Sequence, residues 1–534
     1  MGLPNLDNYS RKPPGLGRTA GLWDASFFGL MNNALPISIW MTLSGLAWFP
    51  GGNLLLASII TFLLVLFGYS LVWGILGGSM PRSGGSYVYN SRILHPMLGM
   101  IISFWNGAFI MLAWICVLAP WFWQIGMPLV LGALAGGEVV STPLSSGWGL
   151  YLGTSLVNIS AFLMVLGGMK NYFSVQRVLV WISLVAITVV GIIFARTSQH
   201  DFVALWDSFA AQRGGLTFTE LIDHAAAEMG GIPRGWNWRS TLGLMLPVSW
   251  GLIYGYVVIF IGGEVKNPRV NILRSQVLTT VISGFFMIWI GLEYSRMLGW
   301  EGMHAVAWMA EKGIAAVEIP IHLHYISIAS FLTGFERYLG LLLGISFLAS
   351  NWLWVVFSYI AWSRAAMAWG KDRIAPGWFT KLSGNKEQPV LLLVAMLVVS
   401  QLALIYFIIY SEVRHSLSVG VMQLLSVFAF TALGCLVFPF LKKMRPIWNL
   451  SPYRRWKLAG IPMATLAGAV SLVLTGLLLA AFFLNDEFEE LHLWWVIINI
   501  IVWVAGGLWY TIWKKIQFHR GLDVRKSFTE MPPE

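Results

Sequence analysis

Residues 246–275 read LPVSWGLIYGYVVIFIGGEVKNPRVNILRS. The stretch opens as an apolar membrane span interrupted by Pro247, Gly251 and Gly255, and it closes in the charged cap Glu264-Val265-Lys266-Asn267-Pro268-Arg269. In hydrocarbon every backbone N–H and C=O needs a partner. A span this rich in helix breakers is therefore stable only where the freed groups face protein, water or a ligand. Such interruptions serve as binding sites in membrane carriers. The spacing predicts a helix broken between Pro247 and Gly255, with the charged cap on the cytoplasmic side.

The surrounding chain fits a bilayer. Of 534 residues, 57% are hydrophobic and 11% charged, and the mean hydropathy is +0.71. That composition belongs to an all-α polytopic membrane protein. Crossing roughly 30 Å of hydrocarbon takes about 20 helical residues. Twelve such runs are predicted, at 20–48, 54–78, 98–127, 148–168, 174–195, 241–263, 274–298, 338–366, 389–410, 416–441, 459–484 and 492–513.

A formal charge of +10 invites a nucleic-acid reading, but its distribution argues against one. With a cytoplasmic N-terminus, most Lys and Arg fall on the cytoplasmic side and most acids outside, including Asp486, Glu487, Glu489 and Glu490. The excess thus reports orientation. Both termini are expected in the cytoplasm of a multi-pass plasma-membrane protein. Residues 1–18, with Arg11, Lys12, Pro13, Pro14 and Arg18, lack the apolar core of a signal peptide and read as a cytoplasmic tail. Cys116 and Cys435 both lie inside predicted spans, so no disulfide framework is implied.

The first span, GLWDASFFGLMNNALPISIWMTLSGLAW (21–48), puts Asn32, Asn33 and Pro36 at mid-membrane depth. Two amides beside a missing backbone donor are costly there unless something needs hydrogen-bonding groups. The competing reading is an interhelical amide contact at a simple proline kink. Asp24 reads as a structural or gate ion pair.

Trp105, Trp114, Trp121 and Trp123 in the third span read as lipid-interface or packing residues. The external segment between spans 5 and 6 contains a capped helix start at Thr217 to Thr219. Ser346 and Ser350 in span 8 are one helical turn apart, so their hydroxyls share a face. Glu293 and Arg296 read as an i, i+3 surface pair. The chain has no HExxH, CxxC or P-loop pattern, which argues against a membrane-embedded enzyme.

Three separated stretches then agree. MPRSGGSYVY (80–89), GGEVKNPRVNILRS (262–275) and SRAAMAWGKDRIAPGWF (363–379) resemble, in order, spacing and placement, the amino acid-polyamine-organocation (APC) superfamily of permeases. The resemblance runs from about Thr19 to Trp513. It implies twelve transmembrane helices in a LeuT-like fold: a 5+5 inverted repeat with helices 1 and 6 broken, plus two extra helices. The segments would be a tail (1–18), a first repeat (19–195), an extracytoplasmic segment (196–240), a second repeat (241–442) and helices 11 and 12 with a cytoplasmic tail (443–534).

It further implies a substrate site at the two breaks, at Asn32, Asn33, Ala34, Ser249, Trp250, Gly251, Tyr254 and Gly255, for an amino acid or related small amine. The match has gaps. The family's glycine-rich break falls on Asn33-Ala34-Leu35, and its Gly-aromatic-acid triplet falls on Tyr254-Gly255-Tyr256, which has no acid. The aromatic that covers substrate in some relatives falls on Trp250. No cofactor or metal is expected, and the coupling ion is left between Na+, with Ser346 and Ser350 as the candidate cation site, and H+. The span 5 lysine of proton-coupled relatives falls near Ser183. Exchange and facilitated diffusion stay open, as does the alternative of a transport-incompetent sensor or subunit of a larger complex. The expected partners are the small-molecule substrate and the lipid bilayer, with no nucleic acid and no expectation for oligomeric state.

Overall fold

The computed structural model describes residues 17–312, 321–383, 388–409 and 420–528. The tail expected at 1–18, apart from its last two residues, the start of the run at 416 and the final six residues lie outside the described residues.

The first apolar run forms two helices, α1 (Leu22–Asn33) and α2 (Leu35–Trp48). Proline has no N–H, and its ring crowds the carbonyl four residues back, so the helical ladder cannot pass Pro36 unbroken. Ala34 makes the turn in the left-handed region, at φ 43° and ψ 56°, a conformation that costs a residue with a Cβ about 1–2 kcal/mol. Its N–H bonds Met31 O at 3.1 Å. The Asn33 carbonyl accepts the Ser38 hydroxyl.

Next come α3 (Leu54–Ser79), α4 (Tyr87–Ile93), α5 (Pro96–Leu134), α6 (Gly147–Leu166) and α7 (Met169–Arg196). Two helices then lie outside any apolar run, α8 (Gln199–Arg213) and α9 (Phe218–Met229). The start of α9 is where the sequence put it: Thr217 Oγ1 accepts from Glu220 N at 3.3 Å and Glu220 accepts from Thr217 N at 2.8 Å. The Thr217 hydroxyl, 2.7 Å from the Glu220 carboxylate, and the Thr217 N–H both donate to it and hold its pKa below the ordinary value.

The stretch that opened the reading becomes α10 (Trp238–Ile253), followed by a tighter 3-10 segment over Tyr254–Glu264. The interruption therefore falls at the late end of the predicted interval. Pro247 and Gly251 sit inside continuous helix, and the departure begins at Tyr254. Pro247 acts as a packing surface: a Cβ on Gly45 of α2 would lie 2.8 Å from its Cγ.

The chain continues through α11 (Pro268–Lys312), bent at Gly299 (φ 73°), then α12 (Tyr325–Leu332), α13 (Arg337–Lys371), α14 (Val390–Ile409), α15 (Gly420–Val437), α16 (Arg445–Leu450), α17 (Met463–Leu484) and α18 (Glu489–His519). The one sheet among the described residues is a two-residue hairpin, with Lys457 opposite Pro462.

Ten of these helices are long and apolar enough to cross a membrane, or eleven if a bent pair over Leu424–Leu450 counts as one span. The protein is thus a multi-pass membrane protein. α1 and α2, of 12 and 14 residues, are each too short to cross alone. Burial ranks the spans: the most apolar window of Trp238–Glu264 is wholly buried, whereas that of the last helix is 17% buried. The bundle is built around the interrupted element and leaves α18 at its periphery.

The two interrupted elements are stitched together before they enter the bundle. Ala20 N donates to Glu264 O at 3.0 Å and Lys266 N to Ala20 O at 2.8 Å. Gly251 lets α10 approach α2, since a Cβ there would lie 3.0 Å from Ser38 Cβ.

Candidate functional site

At the α1–α2 break, Asn32 Nδ2 donates back to Phe28 O at 2.7 Å, and Asn33 Nδ2 donates to Ser283 Oγ of α11 at 2.8 Å. Both amide oxygens are buried with no partner. The interhelical amide contact weighed from the sequence therefore exists for Asn33, and each residue keeps a free acceptor as well.

Four rings from α5, α13 and the end of α10 pack together. Trp250 of α10 lies 4.9 Å from Trp114 of α5 and 5.5 Å from Trp354 of α13. Trp114 and Trp354 stack at 5.0 Å, and Tyr254 packs on Trp354 at 4.9 Å. The Nε1 of each tryptophan and the Tyr254 hydroxyl are buried without an acceptor. A buried donor left unmade costs about 1–3 kcal/mol. None of these side chains carries a charge.

The sequence named Trp250 and Tyr254 but treated Trp114 as interface or packing, and it missed Trp354. Trp114 is fully buried in the cluster. Trp354 follows Asn351 by three residues on the polar face of α13, and that spacing was the signal available. Ser249 spends its hydroxyl on Leu246 O at 2.7 Å. Gly255 is spaced normally, 3.4 Å from Thr279 Cγ2 for an added Cβ.

Ser346 Oγ bonds Leu343 O at 2.6 Å and Ser350 Oγ bonds Ser346 O at 3.0 Å, as hydroxyls in packed helices do. Ser183 of α7 also reaches Ser346 O, at 3.5 Å. The position read as replacing a lysine and the two serines read as cation ligands are thus one cluster. Among the described residues no group of three or more His, Cys, Asp or Glu could hold a metal ion.

The three motifs converge at the Glu264 end of the bundle. Glu264 pairs with Arg364 (3.0 Å), while Arg82 and Arg92 both pair with Asp372 (3.1 and 3.0 Å), and all five side chains are at most 2% exposed. Arg82 and Arg92 are buried together on the same carboxylate. Gly84 (φ 130°) and Gly85 (φ 69°) let the connector lie against α13 and the 3-10 segment, where a Cβ would meet Ala368 or Phe260 at 2.6 Å. Ser83 Oγ accepts from Gly263 N at 3.0 Å. Trp369 Nε1 donates to Ser103 Oγ at 2.8 Å at the same end. Asp24 and Arg177 are 3.8 Å apart, and Arg296 and Glu293 form the expected i, i+3 pair at 2.8 Å.

The profile of a family described as amino acid permease matches residues 21–506. NADH-ubiquinone oxidoreductase chain 6 of Struthio camelus is 28% identical over 164 residues, covering 25% of this chain and 87% of that protein. A likeness confined to a quarter of this chain carries no functional argument for the whole. The first match spans both interrupted elements, the ring cluster and all three motifs.

Proposed function

Since this chain belongs to the amino acid permease family, we propose that it is a secondary transporter that carries a neutral amino acid or related small amine by alternating access, with its site at the breaks of helices 1 and 6. Membership of that family supports transport. The observation that carries the finer reading is the uncharged cluster of Trp114, Trp250, Trp354 and Tyr254, whose four donors have no acceptor.

The broken halves of span 1 and the interrupted span 6 support twelve helices arranged as two inverted five-helix repeats plus two. The positive-inside distribution supports a plasma-membrane protein with both termini in the cytoplasm, which makes the Glu264 end the cytoplasmic gate. Half-helix ends at the breaks direct partial charges toward a bound zwitterion. The absence of any charged side chain in the ring cluster disfavours polyamines and strongly cationic substrates. Sodium or a proton drives the cycle, and the clustering of Ser183 with Ser346 and Ser350 supports sodium, which takes oxygen ligands.

Counterflow in proteoliposomes tests this reading. Exchange of a labelled neutral amino acid against internal unlabelled solute supports it. Tight binding with no counterflow would favour a sensor or subunit on the same fold.

A further inference from the structure

At the end of the bundle away from Glu264, an ionisable group is buried against broken span 1. The ring of His324 is wholly enclosed. It stacks on Trp40 of α2 at 5.9 Å and 14°, and on Tyr325 at 4.9 Å, with Phe347 of α13 edge-on at 5.4 Å. The neighbouring Tyr325 hydroxyl donates to Pro36 O at 3.0 Å, two residues past the break at Ala34. These contacts clamp α2, the second half of span 1.

The protonation state of His324 follows from its partners. It caps α12, with Nδ1 accepting from Ile326 N at 3.2 Å. Nδ1 therefore carries no proton, and the neutral ring holds its hydrogen on Nε2, which has no partner. A second proton would turn an acceptor into a donor that faces another donor. It would also place positive charge at the positive end of a helix, with the His322 ring 6.2 Å away.

Among the described residues no carboxylate pairs with that charge, and only the stacked faces of Trp40 and Tyr325 attract it. α2 presents Trp40, α13 presents Phe347 and α12 presents Tyr325, none of which ionises near neutral pH. His322 shares a cavity of about 30 Å³ with Glu138, and among the described residues His324 has no salt bridge.

We propose that His324 is a proton-operated latch on this end of the site: protonation breaks the cap of α12, releases the Tyr325–Pro36 contact and opens the clamp on span 1. The proposal rests on the reading of broken span 1 as a moving element. Burial, aided by His322, holds the enclosed imidazole well below its ordinary range, whereas an opened ring meets water and titrates near the usual value of about 6.5. The closed state binds fewer protons, so its advantage is complete above the open-state pKa. As pH falls below that value, the advantage drops by about tenfold per unit.

Hydrogen exchange on the full-length protein in lipid nanodiscs, at pH 7.5 and 5.5, tests the latch without any substrate, so a failed transport assignment leaves the result standing. His324→Asn keeps an acceptor for Ile326 and cannot titrate, and His324→Gln serves if that variant does not fold. After correction for intrinsic rates, the wild-type amides of Tyr325–Leu332 should lose roughly tenfold protection at the lower pH, and the variant should lose none. Equal wild-type protection at both pH values, or the same loss in the variant, would overturn the proposal.

Discussion

Arg92 donates to both carboxylate oxygens of Asp372, at 3.0 and 3.1 Å, across 280 residues of chain. Arg82 shares Asp372 Oδ1 from the same connector, so two buried cations depend on one anion. Removing one partner of a buried pair leaves an uncompensated charge, which costs about 3–5 kcal/mol. Asp372→Asn is therefore expected to lower the thermal stability of the detergent-purified protein sharply. Arg82→Gln, which leaves a one-to-one pair, should lower it by much less. Equal shifts for the two variants in a melting experiment would show that the charge balance of this trio does not govern its stability.

Glu264 and Arg364 join the 3-10 end of span 6 to α13 through two contacts, at 3.0 and 3.4 Å. A double-mutant cycle with Glu264→Gln and Arg364→Gln should return a coupling of about 0.5–3 kcal/mol. A membrane-impermeant thiol reagent should also reach a cysteine placed near Tyr256 from this end more readily in the single variants. Additive stabilities together with unchanged labelling would remove the pair from the gate.

Trp354 holds an unspent N–H inside the ring cluster. Trp354→Phe keeps a ring and removes the donor, so two readouts should move in opposite senses. Stability without substrate should hold or rise, because a buried unsatisfied group is lost. Substrate affinity should fall by roughly threefold to tenfold, the worth of one hydrogen bond of about 0.5–1.5 kcal/mol. A drop in stability with unchanged affinity would make Trp354 a packing residue.

Ser346 and Ser350 share their face of α13 with Ser183. Replacing Ser346 and Ser350 together by alanine is expected to abolish stimulation of uptake by an inward sodium gradient while sparing exchange without a gradient. Uptake by the alanine protein that still responds to sodium would move the coupling site elsewhere.

The sequence made the spans legible because apolar runs of about 20 residues have few other uses. The break at Asn33-Ala34-Leu35-Pro36 was legible for a local reason, since Pro36 removes a ladder bond beside two polar amides and suits the first turn of a new helix. Pro247 misled for the complementary reason: its effect is decided by the neighbour, and Gly45 supplies a hollow for its ring. The partners of Asp372 and Glu264 lie 100 to 290 residues away in the chain. No local pattern could pair them, although the motifs that carry them were visible. Trp114 and Trp354 were hidden among 29 tryptophans, because burial, not residue type, separates a site ring from a lipid-facing one. His324 was invisible in the same way, since its meaning comes from Trp40.

The most direct test is a counterflow panel with purified protein in liposomes, in which labelled neutral, aromatic, acidic and basic amino acids and amines are each run against internal unlabelled solute. The uncharged ring cluster predicts saturable exchange of neutral amino acids, reduced by substitution at Trp250 or Trp354, with arginine and putrescine excluded. Saturable uptake of arginine or putrescine, or silence across the whole panel, would contradict it.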